Sequence, residues 1–319
     1  MSSTEAPRCQ PSMSRELPYI THQVPAPDVF LVKILRHVAD LLKADVVVES
    51  EADYHAESKS GRYMSSGMLK IFRESPALYK MKVDGLTREK DTAAYSFGRV
   101  LHTLVLEGVD TFMDMYAWES PVNPRTQKPY SSTTKVFAEW VQNQMKPLTC
   151  TRGDYADAAK LAYKVRQFAH AADLLREGVA EAVVRTTWSG VRVQARIDWY
   201  SPKYGIVDLK TCDKISEFEN DAIRYEYVHQ LAFYIRALSL IAADNIPLSA
   251  HGGSFIVVEK RPPYAVGVWE VPTKLIAIAD EENHFAIERL KRCLGDDEWP
   301  TGYEKKREIT RLRFSGGVA

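Results

Sequence analysis

"VRVQARIDWYSPKYGIVDLKT", residues 191 to 211, holds two apolar runs that alternate like strands, and each carries charge. In the first, Val191, Val193, Ala195, Ile197 and Trp199 take one face, leaving Arg192, Gln194, Arg196, Asp198 and Tyr200 on the other. In the second, Val207 and Leu209 point inward, with Asp208 and Lys210 opposite. Antiparallel pairing through the loop Ser201 to Gly205 sets Asp198 against Asp208 and Arg196 against Lys210. Two facing carboxylates repel and raise one another's pKa, a poor way to stabilise a sheet. They are a good way to hold Mg²⁺, a hard cation that takes oxygen ligands and keeps several waters. Lys210, on the same face, would orient or deprotonate a water and stabilise charge on a phosphorus. Asp-x-Lys also arises by chance on solvated strands, where an exposed ion pair does little, so the surroundings must decide.

Outward from this hairpin, the alternation begins at Ala182 and breaks at Ser189-Gly190. Downstream, a helical stretch from about Ser216 to Ala243 puts Gln230 and Tyr234 four apart on one face, with Tyr227 a turn earlier. A hairpin turning at Arg261-Pro262-Pro263 closes the sheet, and a last helix runs from about Thr273 to Leu294. Glu259-Lys260 is a weaker rival site, because adjacent strand residues face opposite ways.

Upstream the period is helical: Val29 to Ala44; a helix capped by Ser65 or Ser66 and stopped before Pro76; and Asp91 to Gly108, with Phe97, Val100, Leu101 and Leu104 on its apolar face. His102 lies on the flank of that last helix, four after Gly98, and neutral imidazole is a competent metal ligand. Further helices are expected from Lys135 to Met145 and Tyr155 to Glu177. Between Asn123 and Lys135 an exposed loop carries Arg125, Lys128 and Lys135 without an acid.

Lys plus Arg equals Asp plus Glu at 42 each, so no global field announces or excludes a nucleic-acid partner. Cys9, Cys150, Cys212 and Cys293 are far apart with no CxxC, which argues against a zinc knuckle or a disulfide framework and for a reducing compartment. No run approaches the ~18 apolar residues of a membrane span, so a soluble cytoplasmic protein is expected. The expected organisation is a flexible arm over residues 1–28, one α/β domain over 29–303, and a basic tail over 304–319.

In order, "GRVLH", "ARIDWYSPKYGIVDLKT" and "YEYVHQLAFY" resemble the PD-(D/E)XK nuclease superfamily, and within it the RecE-like exonucleases of phages and prophages, of exodeoxyribonuclease VIII type. "SSGMLKIFRESPALYK", "FIVVEKRPPYAVGVWEV" and "DDEWPTGY" extend the likeness from about Tyr63 to Tyr303. The resemblance implies a restriction-endonuclease-like fold, a central mixed β-sheet flanked by helices. It implies Mg²⁺, or Mn²⁺ in its place, on His102, Asp198, Asp208 and the Leu209 carbonyl, with Lys210 catalytic and Gln230 and Tyr234 supporting the site. It further implies 5′→3′ digestion of linear duplex DNA to leave 3′ overhangs, a homo-oligomeric ring and a single-strand annealing partner. Ser65, Arg196, Arg125 and Lys128 are the candidates for DNA or 5′-phosphate contact. Where such proteins often have Ser-x-Ser-x-Leu, this chain has Ser65-Ser66-Gly67-Met68-Leu69, without the second serine. Two alternatives remain beside this one. Iron–sulfur nucleases of the helicase- or CRISPR-associated type need clustered cysteines, and a catalytically silent DNA-binding subunit would not need Asp198, Asp208 and Lys210 together.

Overall fold

A computed structural model describes residues 51–87, 93–241 and 252–306. The expected arm, the Val29–Ala44 helix and residues 307–319 of the tail lie outside the described residues. Helices α1 (Glu51–Lys59), α2 (Ser66–Glu74) and α3 (Pro76–Val83) come first, then α4 (Ala93–His102), which runs into a π turn over Thr103–Glu107. After α5 (Val109–Met115), two-residue strands β1 (Tyr116–Ala117) and β2 (Leu148–Thr149) flank α6 (Lys135–Gln142). Next come α7 (Arg152–Gln167) and α8 (Ala169–Leu174), then the meander β3 (Val179–Trp188), β4 (Val191–Ser201) and β5 (Gly205–Cys212). The chain continues through α9 (Phe218–Arg224), α10 (Tyr227–Ile241), β6 (Gly253–Glu259), β7 (Val266–Glu270) and α11 (Thr273–Asp296).

The main sheet has the order β3-β4-β5-β6-β7, antiparallel except for the parallel pair β5 and β6. Both faces are covered. On one side Leu69, Phe72, Leu231, Ile235 and Ile287, from α2, α10 and α11, pack on Val193, Ile197 and Ile206. On the other, Leu101, Phe112, Leu161 and Val165, from α4, α5 and α7, pack on Val207, Leu209, Ile256 and Val258. β6 sits between these layers and is buried along its whole length, as a strand in a doubly covered sheet must be. Among the described residues no helix is long and apolar enough to cross a membrane.

Local chemistry explains where the structure departs from expectation. Ser75 ends α2 and its hydroxyl caps α3 on the Leu78 N–H, while Pro76 occupies the first helical position, where its missing N–H costs nothing. Pro76 therefore starts a second helix as well as stopping the first. The expected stretch from Ser216 is two helices, broken at Tyr225 and Glu226, and Glu226 has a left-handed φ of 59°. Tyr155 to Glu177 is likewise two, α7 and α8, and α7 begins earlier at a Thr151/Asp154 capping box. The β4–β5 loop is tighter than expected. Ser201 pairs with Gly205, leaving three residues outside the ladder. Gly205 has φ 76°, and a Cβ there would lie 2.3 Å from the Gly252 carbonyl oxygen.

Candidate active site

The β4–β5 ladder runs Ser201↔Gly205, Tyr200↔Ile206 and Trp199↔Val207, and then the strands part. The next step in that register brings Asp198 level with Asp208, as the alternation predicts. Asp198 itself ends the ladder, because its Oδ2 accepts the Leu209 N–H at 2.9 Å. The expected pairing of Arg196 with Lys210 does not form.

The alternation of β4 also changes phase. Glu181 on β3 has φ 54° and lies between the pairs Ala180↔Trp199 and Ala182↔Ile197, opposite Asp198. Past this irregular pair the faces exchange: Tyr200 joins the core containing Ile197, and Trp199 packs on the opposite side. The sequence reading had these two reversed. A non-glycine residue in the left-handed region costs of order 1–3 kcal/mol and is tolerated where surrounding contacts fix it.

His102 reaches the same point from α4. Its Nε2 lies 2.9 Å from the Leu209 carbonyl oxygen and its Nδ1 3.5 Å from Asp198 Oδ2. It is the last α-helical residue before the π turn, closed by a Gly108 N–H to Thr103 carbonyl bond of 2.9 Å. The π turn buries Thr103, Leu104, Val105 and Leu106 in succession, which a regular helix would not do. With Nε2–H donating to Leu209, Nδ1 turns its lone pair toward a carboxylate, an arrangement that a cation between them would favour.

Asp208 is 1 % exposed, and neither carboxylate oxygen accepts a well-directed hydrogen bond. Lys210 Nζ lies 2.6 Å from its Oδ2. Burial pushes the Asp208 carboxyl up to about 6; Lys210 opposes that shift and Asp198 adds to it. For Lys210, burial pulls the ammonium down, but Asp208 and Asp198 more than offset it and hold the group above its usual value. Lys210 donates to Gln230 Oε1 at 2.9 Å, and Gln230 Nε2 donates to the Tyr234 hydroxyl at 2.8 Å. Its ammonium also sits 4.7 Å from the centre of the Tyr227 ring. Thus Asp208, Lys210, Gln230 and Tyr234 form one chain of polar contacts from β5 to α10, buried at its two ends.

Glu181 was missed in the sequence reading. One ligand atom from each of His102, Glu181 and Asp198 lies within 4.8 Å of the others. Burial, and then Asp198, push the Glu181 carboxyl well above its usual value. Its counter-ion is Arg196, whose Nε lies 2.9 Å from Glu181 Oε2 and whose Nη1 lies 3.7 Å from Glu51 Oε2. The sequence signal for it is an acid inside the apolar run "VAEAVV", directly before Ala182.

The donor set fits a divalent cation. Octahedral ligands about 2.1 Å from Mg²⁺ stand about 3 Å apart when adjacent, close to the 3.5 Å between His102 Nδ1 and Asp198 Oδ2. Glu181, Asp198 and Asp208 bring three carboxylates together while Arg196 pairs with Glu181 and Lys210 with Asp208, so the group carries more negative than positive charge. Other candidates are placed elsewhere or are engaged. Ser65 is buried, its hydroxyl taken by the Met68 N–H at 3.4 Å and by Ser58 at 2.7 Å. Arg125 and Lys128 are exposed on the loop whose ends meet at the Val122–Pro129 bridge. Glu259 is buried and accepts the Ile215 N–H at 3.2 Å, while Lys260 pairs with Asp213. Among the described residues the three cysteines are free, buried and unclustered.

Residues 65–311 match the family model described as "PDDEXK-like domain of unknown function (DUF3799)". Among solved structures, the chain is similar to a "Putative exonuclease" from Eubacterium rectale, with a TM-score of 0.58 at 12% identity. That likeness covers 84% of this chain and 97% of the other. No curated protein matches in sequence.

Proposed function

Because the chain belongs to the PDDEXK-like domain family of unknown function (DUF3799) and has the PD-(D/E)XK fold, we propose that it is a Mg²⁺-dependent nuclease acting on linear double-stranded DNA. The observation that carries this reading is the buried Asp208–Lys210 pair beside the His102, Asp198 and Leu209 group. A lysine sequestered as an ion pair within reach of unsatisfied carboxylates is costly as scaffolding. It is well suited to phosphodiester hydrolysis.

His102, Asp198, Asp208 and the Leu209 carbonyl would hold Mg²⁺ or Mn²⁺, with Glu181 alongside. The ion would supply positive charge against the phosphate. Lys210 remains cationic because Asp208 and Asp198 stabilise its charge, so it acts as a hydrogen-bond donor that orients a water and stabilises the extra charge on phosphorus. Gln230 and Tyr227 fix the ammonium in place, and Tyr234 fixes Gln230.

The polarity of the reaction, 5′→3′ with 3′ overhangs left for a single-strand annealing partner in recombination, is supported by the ordered motifs shared with RecE-like enzymes. The similar solved protein described as a "Putative exonuclease" supports an end-directed activity over an internal one. In the same reading the protein works as a homo-oligomeric ring in the cytoplasm. The test incubates pure protein with 5′-phosphorylated linear duplex, closed circular duplex and single strands, in Mg²⁺ or EDTA. Loss of linear duplex only, in Mg²⁺ only, and abolished in Asp208→Ala, is the expected result. Cutting of closed circles, or equal loss in EDTA, would overturn the reading.

A further inference from the structure

Beyond Tyr227, which steadies the Lys210 ammonium, the surface carries a second ring, Tyr225, that no step of the hydrolysis uses. The Tyr227 ring under the Lys210 ammonium stacks on Tyr225, with centroids 5.7 Å apart and planes at 27°. Tyr225 is 44% exposed, and Ile223 just before it is 77% exposed. Two cations flank the Tyr225 ring, Lys70 Nζ at 5.6 Å and Arg224 Cζ at 5.4 Å from its centre. A row of charge and aromatic faces thus runs from the buried lysine to open solvent.

The segment presenting Tyr225 is held rather than loose. Glu226, next in the chain, is left-handed at φ 59°. Arg73 of α2 hydrogen-bonds both Glu226 and the fully buried Asn283, and Lys70 donates to the Tyr225 carbonyl at 3.0 Å. Backbone strain kept in place by charge pairs from another helix is characteristic of sites that must present a side chain in one orientation. Exposing Ile223 and Tyr225 together forgoes burial energy that α9 would otherwise gain.

We propose that Tyr225, with Ile223, Lys70 and Arg224, is a stacking platform for an unpaired DNA nucleotide next to the phosphate held at Lys210. An aromatic face meets any base, and flanking cations take the adjoining phosphates, the combination that binds single strands without reading sequence. A duplex end entering the site is therefore opened, and the nucleotide beyond the scissile bond lies on Tyr225. The inference rests on the nuclease reading for the position of the phosphate.

The test uses the full chain in EDTA, where cleavage cannot interfere. Single-stranded oligodeoxynucleotides carrying 5-iodouracil at successive positions are irradiated, and the crosslinked peptide is mapped by mass spectrometry. Crosslinking is expected at Tyr225, with single-strand affinity about tenfold weaker in Tyr225→Ala and restored in Tyr225→Trp. Crosslinks confined to other residues, or unchanged affinity in Tyr225→Ala, would overturn the platform even if the protein cuts DNA. Crosslinking at Tyr225 in a protein that cuts no DNA would keep the platform and discard the nuclease reading.

Discussion

At the scale of single residues, the site is a problem of unbalanced charge. Asp208, shifted up to about 6, holds a proton below that pH, and a cation must displace it. Mn²⁺ affinity measured calorimetrically is therefore expected to weaken as pH falls through about 6, by about tenfold per pH unit from Asp208. Glu181, also shifted upward by burial and by Asp198, must give up its own proton to meet the cation, and Glu181→Gln is expected to weaken the metal by about tenfold or more. The sign for stability is opposite. In metal-free protein the raised Asp208 pKa favours folding below about pH 4, and that contribution is lost as pH rises through about 6. Lys210→Met should reduce kcat by about 10²-fold or more even at saturating metal. It also strands Asp208 without a counter-ion, so in EDTA the variant should unfold more readily than the parent at pH 8, by about 3 kcal/mol, and less so at pH 5, where Asp208 is protonated.

At the scale of elements, two devices aim these residues. The π turn after His102 carries the helix onward while that side chain stays on Leu209 and Asp198. The elbow between α9 and α10 fixes Tyr227 and Gln230 against Lys210, and Arg73 holds that elbow from α2. Arg73→Ala leaves the Asn283 side-chain oxygen without this donor inside the protein, an expected cost of about 1–3 kcal/mol in chemical denaturation. Because Arg73 holds Glu226, whose carbonyl accepts the Gln230 N–H at 3.1 Å, steady-state kinetics should show lower kcat with KM little changed. At the β4–β5 turn, Gly205→Ala pushes a Cβ onto the Gly252 carbonyl at a left-handed position, and a loss of more than about 2 kcal/mol in thermal unfolding is expected.

At the scale of the whole molecule, the five-stranded sheet covered on both faces leaves the site where β4 and β5 part. A ring encircling DNA predicts that sedimentation finds an assembly several times the 36.2 kDa chain, and that blocking both duplex ends with hairpins abolishes digestion. A monomer in sedimentation would argue against the ring without touching the chemistry at Asp208.

Much of this was legible in the sequence because strand period and turn length are local properties. The alternation in "VRVQARIDWY" and "IVDLKT" fixed the register that brings Asp198 level with Asp208, and the i, i+4 spacing put Gln230 and Tyr234 on one helical face. Order of motifs along the chain sufficed for the superfamily. What the sequence could not supply depended on contacts between distant segments. Glu181 becomes part of the site only because a left-handed residue on β3 changes the phase of the sheet opposite Asp198, and a two-residue period assumes that no such residue intervenes. Ser65 looked available for a phosphate until Ser58, seven residues earlier, took its hydroxyl. Arg196 looked free to bind DNA until Glu181 and Glu51 closed around it. Which side chains could meet was written in local spacing. Which of them remain unsatisfied was decided by burial and by partners far along the chain, and that is a property of the tertiary structure alone.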